Sequence, residues 1–349
     1  MITRHPAGPG RPVRMAVVGL HFGRTMLRTL GDSPMIDMVG VCDLDQDLTA
    51  SVAADEGVRH YADLDEILAD PEVDAVGLFT SPVGRAALLS RIVRSGKPVV
   101  TTKPFDIDPD QARAVLDEAG RRGVVIRLNS PSPSPSADLS LIGRWRTGHH
   151  LGRPIGAHAA VWASYQERPD GSWYDDQWRC PAAPITRLGV YLVNDLIRLM
   201  GPAERVQVLS SRVRTGRPTA DNAQLALTFP GGALATVFAS FCVDDGLAYG
   251  NELTVHFERG TITRARADRP GMIDLLLIKD GRPVESCSVP EIPDEGYDLA
   301  EFVSAVQSGA VITADEARQI VAGVAVLEAA GRAERSGAVE AVRASESEQ

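Results

Sequence analysis

The stretch RMAVVGLHFGRTMLRTL, Arg14 to Leu30, decides the fold. The apolar run MAVVG reads as a strand, and Met26, Leu27 and Leu30 give the next segment a helical apolar face. Strand, glycine turn and helix open a βαβ unit, whose turn carries G-x-G-x-x-G where it binds a dinucleotide. The first glycine makes the turn, the second lets backbone approach the pyrophosphate, and the third lets helix and strand pack closely. Here Gly19 is followed by Leu20, His21, Phe22, Gly23 and Arg24, so one glycine is missing. Without a gap, His21 takes the second position and Arg24 the third. With one residue deleted, Gly19 and Gly23 keep the outer roles and the middle glycine alone is lost. The second register is preferred, because a long arginine fits poorly at a helix–strand contact. Pyrophosphate binding by this loop is expected to be weakened and not abolished, since the free N–H groups and the helix dipole remain.

From Val13 to about Asn129 strands and helices alternate. MVGVCD, VDAVGLFT, KPVVTT and VVIRLN read as further strands. LTASVAADEGV, a short helix opened by Asp63, GRAALLSRIVRSG closed by Gly96, and PDQARAVLDEAGRRG read as helices between them. This rhythm predicts a doubly wound parallel sheet, and strands apolar throughout fit helices on both faces. Asp43 ends the second strand, 24 residues after Gly19. An acid there hydrogen-bonds the adenine ribose 2′-hydroxyl, and no arginine follows for a 2′-phosphate, so NAD is favoured over NADP. The plainer reading is that Asp43 only caps the next helix.

Ser130 to Asp138, SPSPSPSAD, breaks the composition; its three alternating prolines cannot continue a helix or central strand, so 130–137 reads as an extended crossover. Beyond it lie a helix (Asp138 to Thr147), IGAHAAVWASY, and long strand-like stretches turning at FPGGA and KDGRP, which read as hairpins of an antiparallel sheet. YDLAEFVSAVQSG and ADEARQIVAGVAVLEAAGRAERSG read as two closing helices. The expected organisation is a tail at 1–12, a dinucleotide-binding domain at 13–129, the crossover, a substrate and oligomerisation domain at 138–337, and a tail at 338–349.

The formal net charge of −10 argues against nucleic-acid and anionic-membrane partners, which basic patches serve. The four cysteines are scattered and His149 and His150 stand without nearby acids or thiols, so no metal site is expected. The Pro/Gly-rich start lacks an apolar stretch, so a cytoplasmic protein is expected. Lys103, in GKPVVTTKPFDI, stands at the C-terminal end of a parallel strand, where such sheets line their ligand crevice, with Pro104 restricting its backbone. A lysine there orients a hydroxyl or lowers its pKa; a solvated surface lysine is the plainer alternative.

Three segments together resemble the Gfo/Idh/MocA family: GKPVVTTKP, YADLDEILADPEVDAVGLFTSP, and RLGVYLVNDLIRLMG, in this order. The resemblance covers Val13 to about Gly337. It implies a Rossmann domain, a second α/β domain with a large, mostly antiparallel open sheet that supports a homodimer or homotetramer, and NAD(P)-dependent oxidation or reduction of a sugar, polyol or related hydroxy or keto compound. It implies Lys103 as the catalytic lysine, Tyr191 at the His/Tyr acid–base position and Asn194 at the Asp/Asn position, with Asp195 on the same helix, four residues from Tyr191 and on its face. By the same resemblance the cofactor is held by Gly19 to Arg24 without Leu20, by Asp43, by Thr80, Ser81, Pro82 and Arg85, by Thr102, Lys103 and Pro104, and by Trp178 and Arg179.

Departures from the pattern gather around the expected pocket. Thr102 replaces a glutamate, Arg187 stands where the acidic partner would be, and Arg85 stands where many members have histidine. One reading makes the substrate anionic, such as a sugar acid held by Arg187 through bidentate contacts, beside Lys103 and Tyr191. Another makes the protein a catalytically degenerate nucleotide- or sugar-binding member. Trp162, Tyr165, Trp173, Tyr174 and Trp178 suit a sugar ring or a packed loop equally.

Overall fold

Apolar, β-branched runs and amphipathic segments alternate as the sequence requires, in a computed structural model that describes residues 11–31, 33–291 and 299–343. In chain order the elements are β1 (Val13–Val18), α1 (Leu20–Gly31), β2 (Ile36–Cys42), α2 (Gln46–Glu56), β3 (Arg59–His60), α3 (Leu64–Ala69), β4 (Ala75–Leu78), α4 (Arg85–Ser95), β5 (Val99–Thr101), α5 (Pro109–Arg122) and β6 (Ile126–Leu128). Then come α6 (Ala137–Gly148), β7 (Pro154–Trp162), a π-helical turn (Ile185–Gly189), α7 (Val190–Met200), β8 (Arg205–Ser211), β9 (Asn222–Thr228), β10 (Leu234–Ser240), β11 (Gly250–Phe257), β12 (Gly260–Arg266), β13 (Met272–Lys279), β14 (Arg282–Pro290), α8 (Ala300–Ser308), α9 (Ala314–Ser336) and β15 (Glu340–Ala341).

The chain divides into two compact units. The first takes 1–106, 110–132 and 295–318; the second takes 107–109, 133–294 and 319–349. In the first, six parallel strands run in the order β3-β2-β1-β4-β5-β6. The order reverses between β1 and β4, and such sheets bind ligands beyond the strand C-termini at that switch point. Asp63 caps α3 by accepting from the Glu66 N–H, as its place before LDEILA predicts. The core holds Met15, Val17, Leu20, Met26 and Val41, and α8 completes it with Phe302, Val303 and Val306. This corrects the expected boundaries: the first closing helix belongs to the first unit. A hairpin-like amphipathic pair at the end of a chain does not reveal which core it fills. Tyr297 and Asp298, read as the start of that helix, lie outside the described residues, as do 1–10 and 344–349 of the two expected tails.

In the second unit nine strands run β14-β13-β12-β11-β7-β10-β9-β8-β15, antiparallel except for the parallel β7–β10 pair. The FPGGA turn joins β9 to β10 with Gly231 at φ 77°, and KDGRP joins β13 to β14 with Asp280 at φ 52° and Gly281 at φ 74°. Both hairpins are those the sequence signals. Residues 340–341 pair with β8, so the expected tail begins later than 338. One sheet face carries Val161, Leu225, Leu227, Val237, Leu253 and Val255 into a core closed by α6, α7 and α9. Among the described residues no helix is long and apolar enough to cross a membrane, and no cluster of three or more His, Cys, Asp or Glu is arranged for a metal.

Candidate active site

The glycine loop follows β1 at the switch point. Gly19 has φ +91°, and a Cβ there would lie 2.8 Å from both Phe79 C and Thr80 N, so only glycine lets β1 and β4 release their chains side by side. At Gly23 a Cβ would lie 3.0 Å from Val17 Cγ1, which is the close helix–strand contact of a third glycine. The gapped register therefore matches the packing, and the missing glycine is the middle one. Around it, His21 is exposed, Phe22 sits edge-on to Phe79 with centroids 6.1 Å apart, and Arg24 is exposed, 3.8 Å from Asp55 on α2.

Asp43 Oδ2 accepts from the Leu20 N–H at 2.6 Å and Oδ1 from the Asp45 N–H at 3.1 Å. The residue that caps α2 is Asp45, which accepts from the Leu48 N–H at 3.0 Å, so the reading of Asp43 as a mere cap is overturned. A carboxylate has lone pairs beyond these two bonds, enough for a ribose diol. The bare Gly19 cradle, the N-terminal turn of α1 and Asp43 beside it fit a dinucleotide.

Thr80, Ser81 and Pro82 follow β4, and Thr102, Lys103 and Pro104 follow β5. Thr101 Oγ1 donates to Leu78 O at 2.7 Å, and the Lys103 N–H donates to Ser130 O at 3.1 Å, which ties the ends of β4, β5 and β6 together. Thr102 is buried and Lys103 half-buried. Arg85 is corrected as a cofactor ligand. Its buried guanidinium turns inward to the carbonyls of Thr80, Thr102 and Pro104. A lone arginine at a helix start looks the same in sequence whether it faces phosphate or backbone.

In the second unit the π-turn Ile185–Gly189 leads into α7, and half-buried Tyr191 is the second residue of that helix. Single π-turns are rare and frequent at functional positions. Asn194 donates its side-chain N–H to Val190 O at 2.7 Å and packs against Gly323 of α9, where a Cβ would lie 2.8 Å from Asn194 Oδ1. Asp195 is corrected outright. Its carboxylate binds Arg264 of β12 at 2.7 Å, and the same guanidinium nitrogen binds Asp138 of α6 at 2.7 Å. Burial pushes the Asp195 carboxyl up, Arg264 opposes this, and the neighbouring Asp138 charge adds to the rise. Asp195 thus belongs to a buried ion cluster. Trp178 is 70% exposed with the Arg335 guanidinium 4.1 Å over its ring, and Arg179 is exposed and pairs with Asp176 at 3.2 Å.

Arg187 overturns its assignment as a carboxylate receptor. Its fork already holds Glu167, with both N···O distances 2.6 Å, and its guanidinium lies 3.9 Å from the Tyr174 ring centroid, 4.8 Å from Phe241 and 5.0 Å from Tyr165. Tyr165 and Tyr174, with Phe241, wall in a cation, as a packed loop requires. Burial resists ionisation of Glu167, yet the bonds and charges of Arg187 and Arg217 outweigh it and hold the carboxyl below its ordinary range. Arg217 also grips Asp170 at 3.0 Å and Asp175 at 2.6 Å, which pins the whole segment after β7. Glu167 and Arg217 escape a motif-based reading; the one signal is the charge density of QERPDGSWYDD. Glu167→Gln takes away the carboxylate that Arg187 and Arg217 share and is expected to cost about 2 kcal/mol. Tryptophan-monitored thermal melting reads that loss, and an unchanged melting point would count against the pair.

Two family models match this chain. "Oxidoreductase family, NAD-binding Rossmann fold" covers residues 13–130, and "GFO/IDH/MocA C-terminal domain" covers residues 144–263. The chain belongs to the Gfo/Idh/MocA oxidoreductase family, and its N-terminal unit is an NAD-binding Rossmann domain. It is 22% identical to D-apiose dehydrogenase of Paraburkholderia graminis over 63% of this chain and 58% of that protein. It is 22% identical to 1,5-anhydro-D-fructose reductase of Ensifer adhaerens over 65% of this chain and 72% of that protein. Its fold is similar to that of GenD2 from gentamicin A biosynthesis in complex with NAD (TM-score 0.75, 22% identity, 99% of this chain and 100% of that one). It is similar also to that of levoglucosan dehydrogenase with NADH and levoglucosan (TM-score 0.74, 15% identity, 95% and 100%).

Proposed function

We propose that the protein is an NAD-dependent oxidoreductase acting on the CH–OH or C=O group of an uncharged sugar or polyol. The observation that carries this reading is the Gly19 cradle with Asp43 beside it, at the same strand ends that present Lys103. Bound NAD supplies hydride acceptance, and NADH hydride donation, at the nicotinamide ring. Lys103 orients the reacting oxygen and favours its anionic form. Tyr191 takes the hydroxyl proton during oxidation and returns it during reduction. Asp43 favours NAD, because its negative charge opposes a 2′-phosphate. The Glu167 pairing of Arg187 favours an uncharged substrate, since a substrate carboxylate would have to displace a bidentate internal one.

Self-association through the nine-stranded sheet belongs to the same reading. Its outer face exposes Ile155 and Leu234, which with Val339 line one open apolar groove, where singly scattered surface residues would not.

NADH fluorescence titration tests the cofactor, with NADPH in parallel, and a panel of D-apiose, 1,5-anhydro-D-fructose, levoglucosan, inositols and sugar acids tests the chemistry. NADH is expected to bind more tightly than NADPH, with turnover on an uncharged compound. Binding without turnover on any compound of the panel supports the degenerate reading; failure to bind either nucleotide ends both readings of the first unit.

A further inference from the structure

We infer that Arg85 is a positioning residue that sets the Lys103 peptide through the backbone carbonyls on either side of it. This rests on the reading of Lys103 as the lysine that meets the cofactor and substrate.

Lys103 is flanked by two carbonyls, Thr102 O and Pro104 O, and a single nitrogen of Arg85, Nη1, donates to both. The other terminal nitrogen, Nη2, donates to Thr80 O, at the end of the neighbouring strand β4. The guanidinium therefore bridges the segments that follow β4 and β5, and it holds the chain on both sides of Lys103. A second tie runs the same way: the Ala86 N–H, next to Arg85 in α4, donates to Asp106 Oδ2 at 2.7 Å. With the Lys103 N–H on Ser130 O, the segment 102–106 is fixed at four points. A planar fork with several donors suits three fixed acceptors; an amide or a point ammonium cannot span them equally. A long lysine side chain aims only as well as its own peptide is held, and a misplacement near 1 Å can lower a rate about a hundredfold.

The composition makes the idea measurable. The chain has three lysines, Lys97, Lys103 and Lys279. Lys97 is buried and bound to Asp70 O and Val73 O, while Lys279 donates to His149 O in the other unit. Acetylation by acetic anhydride, read peptide by peptide in the mass spectrometer, therefore reports Lys103 against Lys279 as internal reference. Saturating NADH is expected to slow Lys103 acetylation at least fivefold in the natural protein. In Arg85→Gln, with NADH affinity measured by fluorescence and acetylation read at saturation, most of that shielding is expected to disappear. Arg85→Lys, which restores a cation and one or two donors, is expected to recover part of it.

If NADH binds and shields Lys103 equally in the natural protein and in folded Arg85→Gln, the inference is overturned while the cofactor reading stands. If the natural protein binds NADH without shielding Lys103, the placement of Lys103 fails first. Should Arg85→Gln not fold, Arg85→Lys decides: intermediate shielding supports the positioning role, and full shielding removes it.

Discussion

Replacing Arg264 with leucine is expected to lower the melting temperature of the second unit on the order of 10 °C. The cause is electrostatic. Arg264 points from β12 into the core, where one nitrogen serves both Asp138, in the first turn of α6, and Asp195, on α7. Its other terminal nitrogen donates to Asn251 Oδ1 of β11 at 2.9 Å. All three charged groups are buried or nearly so. Removing one partner of a buried pair leaves an uncompensated charge and costs about 3–5 kcal/mol. Here two carboxylates lose the same cation. The four tryptophans, Trp145, Trp162, Trp173 and Trp178, all lie in the second unit, so their fluorescence reports its unfolding apart from that of the first. By contrast, Asp195→Asn keeps the Asp138–Arg264 pair and removes the surplus charge, so its melting point should stay within a few degrees. A large loss in Asp195→Asn would show that both carboxylates are needed.

Acid is expected to shrink the Arg264→Leu defect. In the natural protein, burial opposes ionisation of Asp138, but Arg264 and Ser136 outweigh it and hold the carboxyl below its ordinary range. A depressed folded pKa contributes stability above the unfolded pKa, about 3.9, and loses it as pH falls below that. Without Arg264, burial is opposed at Asp138 by Ser136 and the Leu139 N–H and at Asp195 by Arg198, the strongest counterweight is gone from both, and each folded pKa is expected to rise above the unfolded one. Stability then grows as pH falls from neutrality toward that value, because the folded state takes up more protons. The melting-point gap between variant and natural protein should therefore narrow between pH 7 and pH 5. A constant gap would mean that the loss is one of packing, not of charge.

Arg264 also marks how far the sequence could be read. In GTITRARA, Ile262 and Arg264 share a parity, and the period of two sends both to the core face. The inward direction was legible; the partners were not, because Asp138 and Asp195 come from helices 126 and 69 residues away. The same limit separates the other successes from the misses. Gly19, Gly23, Asp43, the Asp63 cap and the two hairpin turns are local: each is set by its own φ, its neighbours within a few residues, or one strand period. Arg85, Arg187 and Asp195 were misassigned because a charge in a motif position carries no mark of its counterpart. Glu167 lies 20 residues before Arg187, and the carbonyls that Arg85 holds belong to three different residues in two loops. Asp195 sits beside Asn194 in sequence, but the helix turns its carboxylate toward the sheet.

Replacing Lys103 with methionine is expected to lower kcat by about a thousandfold, the scale of one lost group that stabilises a developing oxyanion, while NADH affinity stays within about threefold. Methionine matches the aliphatic stem and removes only the ammonium. The backbone that holds position 103 does not depend on that ammonium: the Arg85 and Ser130 contacts run through main-chain atoms. The fold of the loop should therefore survive, and the defect should fall on turnover. Lys103→Arg separates charge from proton chemistry. A guanidinium keeps the positive charge but is longer, planar and never deprotonated near neutral pH. If the ammonium serves only as a fixed charge, arginine should recover most of the rate; if its point geometry or its proton matters, arginine should resemble methionine. Both variants are assayed on the panel compound that the natural protein turns over fastest, with NADH binding measured on the same samples. A methionine variant that keeps the natural kcat would remove Lys103 from the chemistry, and with it the assignment of this strand end as the place where hydride moves.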